Sequence, residues 1–249
     1  MRLRLAVSGC RGRMGQRILE LAARDGRFDV KAALERPGHP EIGQRIRLGD
    51  GAAARSVLVY GGIEESLQDA DCLIEFTTPE ATSEHLEWAV RLGRAMVIGT
   101  TGLTEEMCRK IRKAGDKIPV VQSPNMSVGV NLLFALTERA SRTLPPDYGV
   151  RMVEAHHKNK KDAPSGTAKQ LAAIVRKERG VDTPIQSIRE GEIVGEHTVT
   201  FANAVEVLQF EHEAQSRDAF AQGALVAALF LQGKKKGFFD MLDVLGLRS

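Results

Sequence analysis

Short apolar runs alternate with amphipathic segments over the first half of the chain. Residues 3–8 form a run with the length of a buried strand, and apolar residues with helical spacing follow at 18–22. Further strand-like runs lie at 30–34, 57–60, 72–76, 96–98 and 119–122, with helices predicted at 63–67, at 79–92 and after Thr104. Strands and helices that alternate in this way predict a parallel sheet with right-handed crossovers.

The pattern changes after Ser127. Helices are predicted at 130–140, 168–177 and 219–231, a strand at 150–155, and strand-like runs at 185–188, 196–201 and 205–210. Runs of strands after a helix predict a second, smaller α+β domain with an open antiparallel or mixed sheet. One face of such a sheet is free, and sister subunits could cover it.

A glycine-rich turn lies directly between the first strand and the first helix. Gly9, Gly12 and Gly15 have the spacing G-x-x-G-x-x-G, which would allow a tight turn, a close approach to a pyrophosphate and close helix packing. Glu35 ends the second strand twenty residues after Gly15, where an acidic residue would bind ribose hydroxyls. A glycine turn alone is often only a tight turn, but the strand, the helix and Glu35 in register favour a dinucleotide site.

Polar turns close three of the later strands, at 76–78, 99–102 and 123–126. Ligands of parallel sheets bind at the carboxyl ends of the strands, so these turns could line a nicotinamide and its phosphates. We therefore predict an α/β protein with two domains. A Rossmann-like parallel-sheet nucleotide domain would comprise residues 1–126 and 217–249, and a smaller α+β domain for substrate binding and oligomerisation would comprise residues 127–216.

The composition is that of an ordinary globular protein, with 43% hydrophobic and 27% charged residues and a formal net charge of +3. This charge does not predict nucleic-acid binding, and aromatic residues, at 5%, do not interleave with the lysine runs. Cys10, Cys72 and Cys108 lack metal-like spacing, so we expect reduced thiols and no metal. Without a long apolar run or a signal-like start, a cytoplasmic protein with no membrane partner is expected.

The segment 154–167, EAHHKNKKDAPSGT, concentrates groups that could do chemistry. His156 and His157 can hold or move protons near neutral pH, and three lysines supply positive charge. Ser165, Gly166 and Thr167 precede an apolar helical segment and predict a helix start whose N–H groups bind anions. Such a run in an exposed loop is often only a solvated surface. Proton donors, cations and an anion cradle together favour a site for a small polycarboxylate.

Ordered strings along nearly the whole chain resemble the 4-hydroxy-tetrahydrodipicolinate reductase (dihydrodipicolinate reductase) family of the bacterial lysine and diaminopimelate pathway. The matching strings are GCRGRMG (9–15), LER (34–36), EFTTPE (75–80), VIGTTG (97–102), NMSVGVN (125–131), EAHHKNKKDAPSGT (154–167), IVGEHTV (193–199), SRDAF (216–220) and FFDMLDVL (238–245). The resemblance implies hydride transfer from NADH or NADPH to a cyclic, unsaturated dicarboxylic acid, which gives tetrahydrodipicolinate.

The resemblance also implies which residues bind the cofactor. Glu35 would bind the ribose diol and Arg36 a 2′-phosphate, so we expect both NADH and NADPH to be used. Arg11 replaces a glycine of the commoner form GAGGRMG and could add a phosphate-facing charge. The remaining expected cofactor contacts are Gly9, Cys10, Arg11, Gly12, Arg13 and Met14 at the pyrophosphate, with Gly99, Thr100, Thr101, Ser123, Pro124, Asn125 and Met126 at the nicotinamide.

In the second domain the resemblance implies that His156 donates a proton, with Lys160 as its partner in that role. His157 would contact the substrate, and Gly166 and Thr167 would bind a carboxylate through their N–H groups. Reduction of a conjugated imine builds negative charge away from the hydride, so a proton donor is required. We expect a small dicarboxylate substrate, no nucleic-acid partner and a homotetramer.

Two other classes of protein remain open on the residues alone. A different nicotinamide-dependent enzyme, such as an aspartate or amino-acid dehydrogenase, would leave His156, His157 and Lys160 without a role, and no obvious catalytic cysteine serves a semialdehyde reaction. A non-enzymatic NAD-binding sensor would have no need of a proton donor. Both alternatives therefore explain fewer of the residues than a reductase of a dicarboxylate does.

Overall fold

The computed structural model describes residues 1–49 and 54–248, which form two compact units, Met1–Met126 with Phe220–Arg248 and Ser127–Ala219. Its strands are β1 (Leu3–Ser8), β2 (Phe28–Leu34), β3 (Arg45–Leu48), β4 (Arg55–Tyr60), β5 (Cys72–Glu75), β6 (Ala95–Ile98), β7 (Pro119–Gln122), β8 (Gly149–His156), β9 (Ile185–Arg189), β10 (Glu196–Ala202), β11 (Val207–Glu213) and β12 (Gly237–Phe239). Its helices are α1 (Arg13–Arg24), α2 (Ile63–Leu67), α3 (Pro79–Leu92), α4 (Glu105–Ala114), α5 (Val128–Thr143), α6 (Gly166–Arg179), α7 (Asp218–Leu231) and α8 (Met241–Val244).

The first unit, called the nucleotide unit below after the role predicted for it from the sequence, is built on an eight-stranded sheet in the order β12-β7-β6-β5-β1-β2-β4-β3. Its strand pairs are parallel except for β3 with β4. Ile18 of α1 and Leu225 of α7 pack into one apolar layer, and Leu86 of α3 and Ile111 of α4 pack into another. Helices therefore cover both faces, which is why β1 and β5 to β7 read as continuous apolar runs.

The second unit, called the substrate unit below after the role predicted for it from the sequence, is built on a four-stranded sheet in the order β11-β10-β8-β9. β8 and β9 are parallel and the other pairs are antiparallel, so the sheet is mixed. Phe201 of β10 is fully buried in a core to which α5 contributes Leu133 and α6 contributes Leu171. The predicted α/β fold with a parallel sheet and a smaller mixed sheet is confirmed.

Three short elements were not predicted from the sequence: β3, β12 and α8. β3 reads Arg45-Ile46-Arg47-Leu48, an alternation too short and too basic to stand out, and it pairs at the edge of the sheet. β12 has three residues and pairs in parallel with β7. The prediction that the tail docks on the protein is therefore confirmed, by strand pairing and by a capping box at Asp240 that starts α8.

Several element boundaries differ from the prediction by a few residues. The helices predicted at 130–140 and 168–177 begin earlier, because Ser127 and Ser165 cap them by accepting the N–H groups of Val130 and Ala168, and they also end two or three residues later. The strand predicted at 205–210 begins later, at Val207, after a turn in which the N–H of Asn203 binds the carbonyl of Glu206. Within the described ranges, no helix is both long and apolar enough to cross a membrane.

Candidate active site

The glycine turn of the nucleotide unit has the close packing that its sequence predicts. Gly9 has φ +73°, and a Cβ there would lie 2.6 Å from the carbonyl oxygen of Phe76. A Cβ on Gly15 would lie 2.1 Å from the carbonyl oxygen of Gly9, and one on Gly12 would lie 3.1 Å from the same atom. A side chain at Gly15 would force α1 away from the glycine turn, and one at Gly9 would force the turn away from the backbone that follows β5. Either change would keep the amino end of α1 from a close approach to a ligand.

Glu35, at the end of β2, is tied to the glycine turn. Its carboxylate accepts the N–H of Arg11 at 3.1 Å and the N–H of Arg36 at 3.1 Å, and the Cys10 sulfur lies 4.0 Å away. The guanidinium of Arg11 pairs with Glu41, so in this structure it faces a carboxylate and not an open anion site. Arg36 is exposed beside Glu35.

A cavity of about 360 Å³ lies at this place in the nucleotide unit. Gly9 and Gly12 border it on the glycine turn, and Glu35 and Arg36 border it at the end of β2. Its remaining lining comes from Ser8, Leu34, Pro37, Gly61, Ile63, Phe76, Thr77, Thr78, Ala81, Glu84 and His85. The cavity thus combines a glycine cradle with a carboxylate and a cation, which suits the ribose and phosphates of a dinucleotide.

The turns at 99–101 and 123–126 follow β6 and β7, neighbouring strands of the same sheet. The N–H of Ser123 binds the carbonyl of Ile98 at 3.2 Å, which joins the two strand ends. Gly99 lies so close to the Phe76 ring that a Cβ would meet it at 2.3 Å. Thr101 and Pro124 are exposed and Asn125 is partly exposed, whereas the side chains of Cys10, Thr100, Ser123 and Met126 are buried and face the protein.

Sequence reasoning did not identify Glu75, the last residue of β5, which is 0% exposed. It accepts the hydroxyl groups of Thr77 at 2.5 Å, Thr82 at 2.7 Å and Thr100 at 2.6 Å, and it lies 3.1 Å from Nδ1 of His85. Burial alone would raise the pKa of Glu75, but these hydrogen bonds outweigh it and hold the pKa below its ordinary value. One carboxylate therefore fastens the turns after β5 and β6 to α3.

In the substrate unit, β8 carries His156 at its end, and Glu154 lies two residues earlier on the same face. Oε2 of Glu154 is 2.5 Å from Nδ1 of His156. A Cβ on Gly195 would lie 3.1 Å from Nε2 of His156, so the missing side chain leaves room at that nitrogen. With Nδ1 held by a carboxylate, Nε2 is the nitrogen available to exchange a proton.

Charged neighbours set the protonation of this pair. Burial would raise the pKa of Glu154, but hydrogen bonds from Arg189, Ser187 and His156 outweigh it and lower the pKa to about 2. Burial also lowers the pKa of His156, with Lys160 and Arg189 acting in the same direction and Glu154 opposing them. In the free protein the Glu154 carboxylate is charged, and the His156 imidazole releases its proton more readily than an ordinary histidine.

The loop after β8 carries the other predicted residues. Nζ of Lys160 lies 2.8 Å from the carboxylate of Asp162. The backbone N–H of His157 donates to the carbonyl of Ile193 at 2.7 Å, and its side chain is partly exposed. Lys158 and Lys161 are exposed. The structure therefore fixes this loop through its backbone and leaves the imidazole of His157 accessible.

The amino end of α6 lies beside the Glu154–His156 pair. Gly166 and Thr167 are its first two residues, where the positive end of the helix dipole favours an anion. Ser165 caps the helix, and its N–H lies 3.3 Å from Oε1 of Glu154. Its hydroxyl lies 3.1 Å from Nε2 of His197, a buried residue opposite Glu154 on β10.

Glu154, Arg189 and His197 were missed as site residues. Strand alternation places Glu154 and His156 on one face, but the register that brings Arg189 beside His156 and His197 beside Glu154 is not encoded locally. Ligand atoms of Glu154, His156 and His197 lie within 4.8 Å of one another, a grouping that could hold a metal ion. The Arg189 guanidinium on the same carboxylate would repel a cation, so we assign no metal.

Comparison with known proteins assigns both halves of the chain to one family. Residues 3–126 match the family model described as dihydrodipicolinate reductase, N-terminus, and residues 129–245 match its C-terminus. The chain is 43% identical to the 4-hydroxy-tetrahydrodipicolinate reductase of Nitrosomonas europaea over 99% of both chains, and 42% identical to that of Thiobacillus denitrificans over the full length of both.

Among solved structures, the dipicolinate-bound dihydrodipicolinate reductase from Paenisporosarcina sp. TG-14 superposes with a TM-score of 0.83 at 22% identity, over 98% of this chain and 99% of that one. Aspartate dehydrogenase from Thermotoga maritima, with a TM-score of 0.52 at 13% identity over 94% and 98% of the two chains, shares only the fold. With two matching domain models and full-length relatives above 40% identity, the chain belongs to the 4-hydroxy-tetrahydrodipicolinate reductase (dihydrodipicolinate reductase) family.

Proposed function

We propose that the chain catalyses the NAD(P)H-dependent reduction of 4-hydroxy-tetrahydrodipicolinate, or dihydrodipicolinate once its hydroxyl has left as water, to tetrahydrodipicolinate. This is the reductive step expected in lysine and diaminopimelate synthesis. The observation that carries the proposal is the substrate unit's combination of a carboxylate-held histidine, a lysine and the amino end of a helix. These groups offer a proton and two kinds of anion contact to a dicarboxylate.

The nucleotide unit fits a nicotinamide dinucleotide, because a Cβ would fill the space at Gly9 and Gly15 and because Glu35 closes one end of the cavity. When bound, the reduced cofactor supplies the hydride. Glu35 would accept the ribose hydroxyls of NADH, and exposed Arg36 would neutralise the 2′-phosphate of NADPH. The remaining predicted contacts are Gly9, Cys10, Arg11, Gly12, Arg13, Met14, Gly99, Thr100, Thr101, Ser123, Pro124, Asn125 and Met126. Those whose side chains are buried would contact the cofactor only through backbone groups.

The substrate unit would hold the dicarboxylate and complete its reduction. Gly166 and Thr167 would bind one carboxylate at the amino end of α6, and His157 would contact the substrate from the loop. Addition of hydride to one end of the conjugated system leaves an electron pair at the other end. His156 would place its proton there, assisted by the ammonium group of Lys160, so that one hydride and one proton are added in all.

Substrate binding would itself prepare the donor. In the free protein, burial and two nearby cations hold the pKa of His156 below its ordinary value. Two substrate carboxylates would add negative charge beside the imidazole and raise that pKa, because an opposite charge favours the protonated form. The histidine would then take up a proton as the anion arrives and hold it until the negative charge of the reaction develops.

We also propose a cytoplasmic homotetramer. The face of the substrate sheet opposite its apolar core presents Arg151, Gln209 and Glu211, which are exposed, and Val205 and Val207 are exposed at the β11 edge. An open sheet face with an apolar edge is a surface that copies of a chain can cover. Sedimentation equilibrium of the purified protein would measure the subunit number directly, and a monomer at micromolar concentration would contradict the assembly.

The decisive assay follows nicotinamide absorbance with freshly generated substrate, using NADH and NADPH in parallel. His156→Gln should lower kcat by about 100- to 10,000-fold and change the substrate KM much less. His157→Gln is the matched comparison and should mainly raise the substrate KM. Absence of substrate-dependent oxidation in the unmodified protein, with cofactor binding intact, would show that the reaction is assigned wrongly. Near-normal turnover of His156→Gln would show that the reaction is assigned correctly and that only the proton donor is assigned wrongly.

A further inference from the structure

Arg189, on β9, makes contacts that join the proton-donor histidine to the lysine loop. Its guanidinium donates to Oε1 of Glu154 at 2.7 Å and to the backbone carbonyl of Asp162 at 2.6 Å. The Arg189 side chain is 18% exposed and that of Glu154 is 1% exposed, so the bond between them is shielded from water, whereas the bond to Asp162 lies at the surface. Glu154 holds His156, and Asp162 pairs with Lys160. One side chain therefore reaches the partners of both residues expected to move the proton.

We propose that Arg189 is a positioning residue of the reaction: its guanidinium aims the Glu154–His156 pair and fixes the loop that carries Lys160. This inference rests on the proposed role of His156 as proton donor. Arg189 lies outside the 154–167 segment and reaches it only through the parallel pairing of β8 and β9, in which His156 and Arg189 are register partners.

The first step of the argument concerns geometry. Two oxygens of one carboxylate are divided between two partners, Oε1 for Arg189 and Oε2 for Nδ1 of His156. Without the guanidinium, the Glu154 side chain could rotate away from the line that holds the imidazole. The loop would also lose the bond at Asp162, and displacement of a catalytic group by about 1 Å can cost on the order of 100-fold in rate.

The second step concerns charge. The titratable or charged groups around His156 are Glu154 on its own strand, Lys160 on the loop, Arg189 on β9 and His197 on β10, whose ring centroid is 5.2 Å away. Glu154 raises the pKa of His156, whereas Lys160 and Arg189 lower it. Removal of Glu154 and removal of Arg189 should therefore move the titration of His156 in opposite directions.

The two shifts in the pKa of His156 keep their opposite signs even though Arg189 and Glu154 are themselves paired. Loss of Arg189 would let the pKa of Glu154 rise from about 2 toward its ordinary value, which is still far below neutrality. Glu154 would remain ionised where His156 titrates, and only the repulsion from the guanidinium would be lost. The pKa of His156 should then rise in Arg189→Gln and fall in Glu154→Gln, each by about one pH unit.

The test is an NMR titration of the imidazole protons of His156 in the intact protein, with the resonance assigned by comparison with His156→Gln. We expect an upward shift in Arg189→Gln, a downward shift in Glu154→Gln, and no shift in Arg176→Gln, which removes an arginine that is 71% exposed near the carboxyl end of α6. Shifts in the same direction, or no shift in Arg189→Gln, would overturn the proposal. The titration needs no turnover, so it is independent of whether the reaction has been assigned correctly.

Kinetics supplies the second readout. Arg189→Lys keeps the positive charge but cannot make the same set of bonds, so the His156 pKa should stay where it is while kcat falls by about 10- to 100-fold. The cofactor KM should be unchanged. If Arg189→Gln is too unstable to study, a normal kcat in Arg189→Lys would still refute the positioning role. Near-normal kcat in His156→Gln would instead contradict the proposed donor and leave the measured His156 shifts valid.

Discussion

Gly15→Ala is the perturbation that most directly tests the packing of the glycine turn. A Cβ at this position would lie 2.1 Å from the carbonyl oxygen of Gly9, so α1 would have to move away by about 1.3 Å to reach an ordinary contact of 3.4 Å. The neighbour is backbone and cannot rotate aside. We expect a loss of about 1 to 3 kcal/mol in the free energy of unfolding, the usual cost of overpacking.

The same displacement would withdraw the amino end of α1 from the cofactor, so the affinity for NADH should fall more than tenfold. The assays are a fluorescence titration with NADH and urea unfolding followed by circular dichroism. Gly12→Ala and Gly26→Ala are graded controls: a Cβ would lie 3.1 Å from the Gly9 oxygen at Gly12, and it would meet nothing within 4 Å at Gly26. Unchanged NADH affinity and stability in Gly15→Ala would refute the argument from close approach.

Four further outcomes are expected. Arg36→Ala should raise the KM for NADPH and leave that for NADH nearly unchanged, and an unchanged NADPH KM would remove Arg36 from cofactor selection. Lys160→Ala should lower kcat severely in the absorbance assay, because the proton donor His156 would lose its partner. A near-normal rate would exclude this pairing. A thiol reagent should label Cys108 before the other two cysteines, because those are buried and burial raises their pKa values; mass spectrometry of partly labelled protein would show the order. The pKa of Glu154 is about 2 in the folded protein, against 4.5 ordinarily, so the stability that its carboxylate contributes is complete above about pH 5 and is lost as the pH falls toward 2. Over that range the free energy of unfolding of Glu154→Gln should fall by about 3 kcal/mol less than that of the unmodified protein, which melting curves at several pH values would measure.

Most of the fold follows from local pattern. Six strands of the nucleotide unit, β1, β2 and β4 to β7, and the helix at Pro79–Leu92 were predicted within two residues, because apolar runs, a proline at the first turn and capping residues mark them. β3 and β12 were missed because their pairing comes from distant strands and their own sequences are only four and three residues long. Such elements depend on tertiary contacts that no local period reveals.

The candidate site divides in the same way. The glycine turn, Glu35 and the 154–167 segment could be found because their residues are contiguous or follow a fixed spacing in a strand–turn–helix context. Arg189 and His197 could not, because only the register of β9 and β10 against β8 brings them to Glu154 and His156. Glu75 looks like the polar end of an apolar strand, and its hydroxyl partners come from two different turns and a helix.

The pairing of β12 with β7 has a consequence for the order in which the chain can fold during synthesis. Residues 127–219 form one continuous stretch, so every strand of the substrate sheet has been synthesised before Gly237 is added. Until then, the outer edge of β7 has no strand to pair with and presents unpaired backbone groups. An exposed strand edge is where a nascent chain pairs wrongly with a neighbour. The three residues of β12 therefore protect the edge of β7 only after the whole substrate sheet has been synthesised.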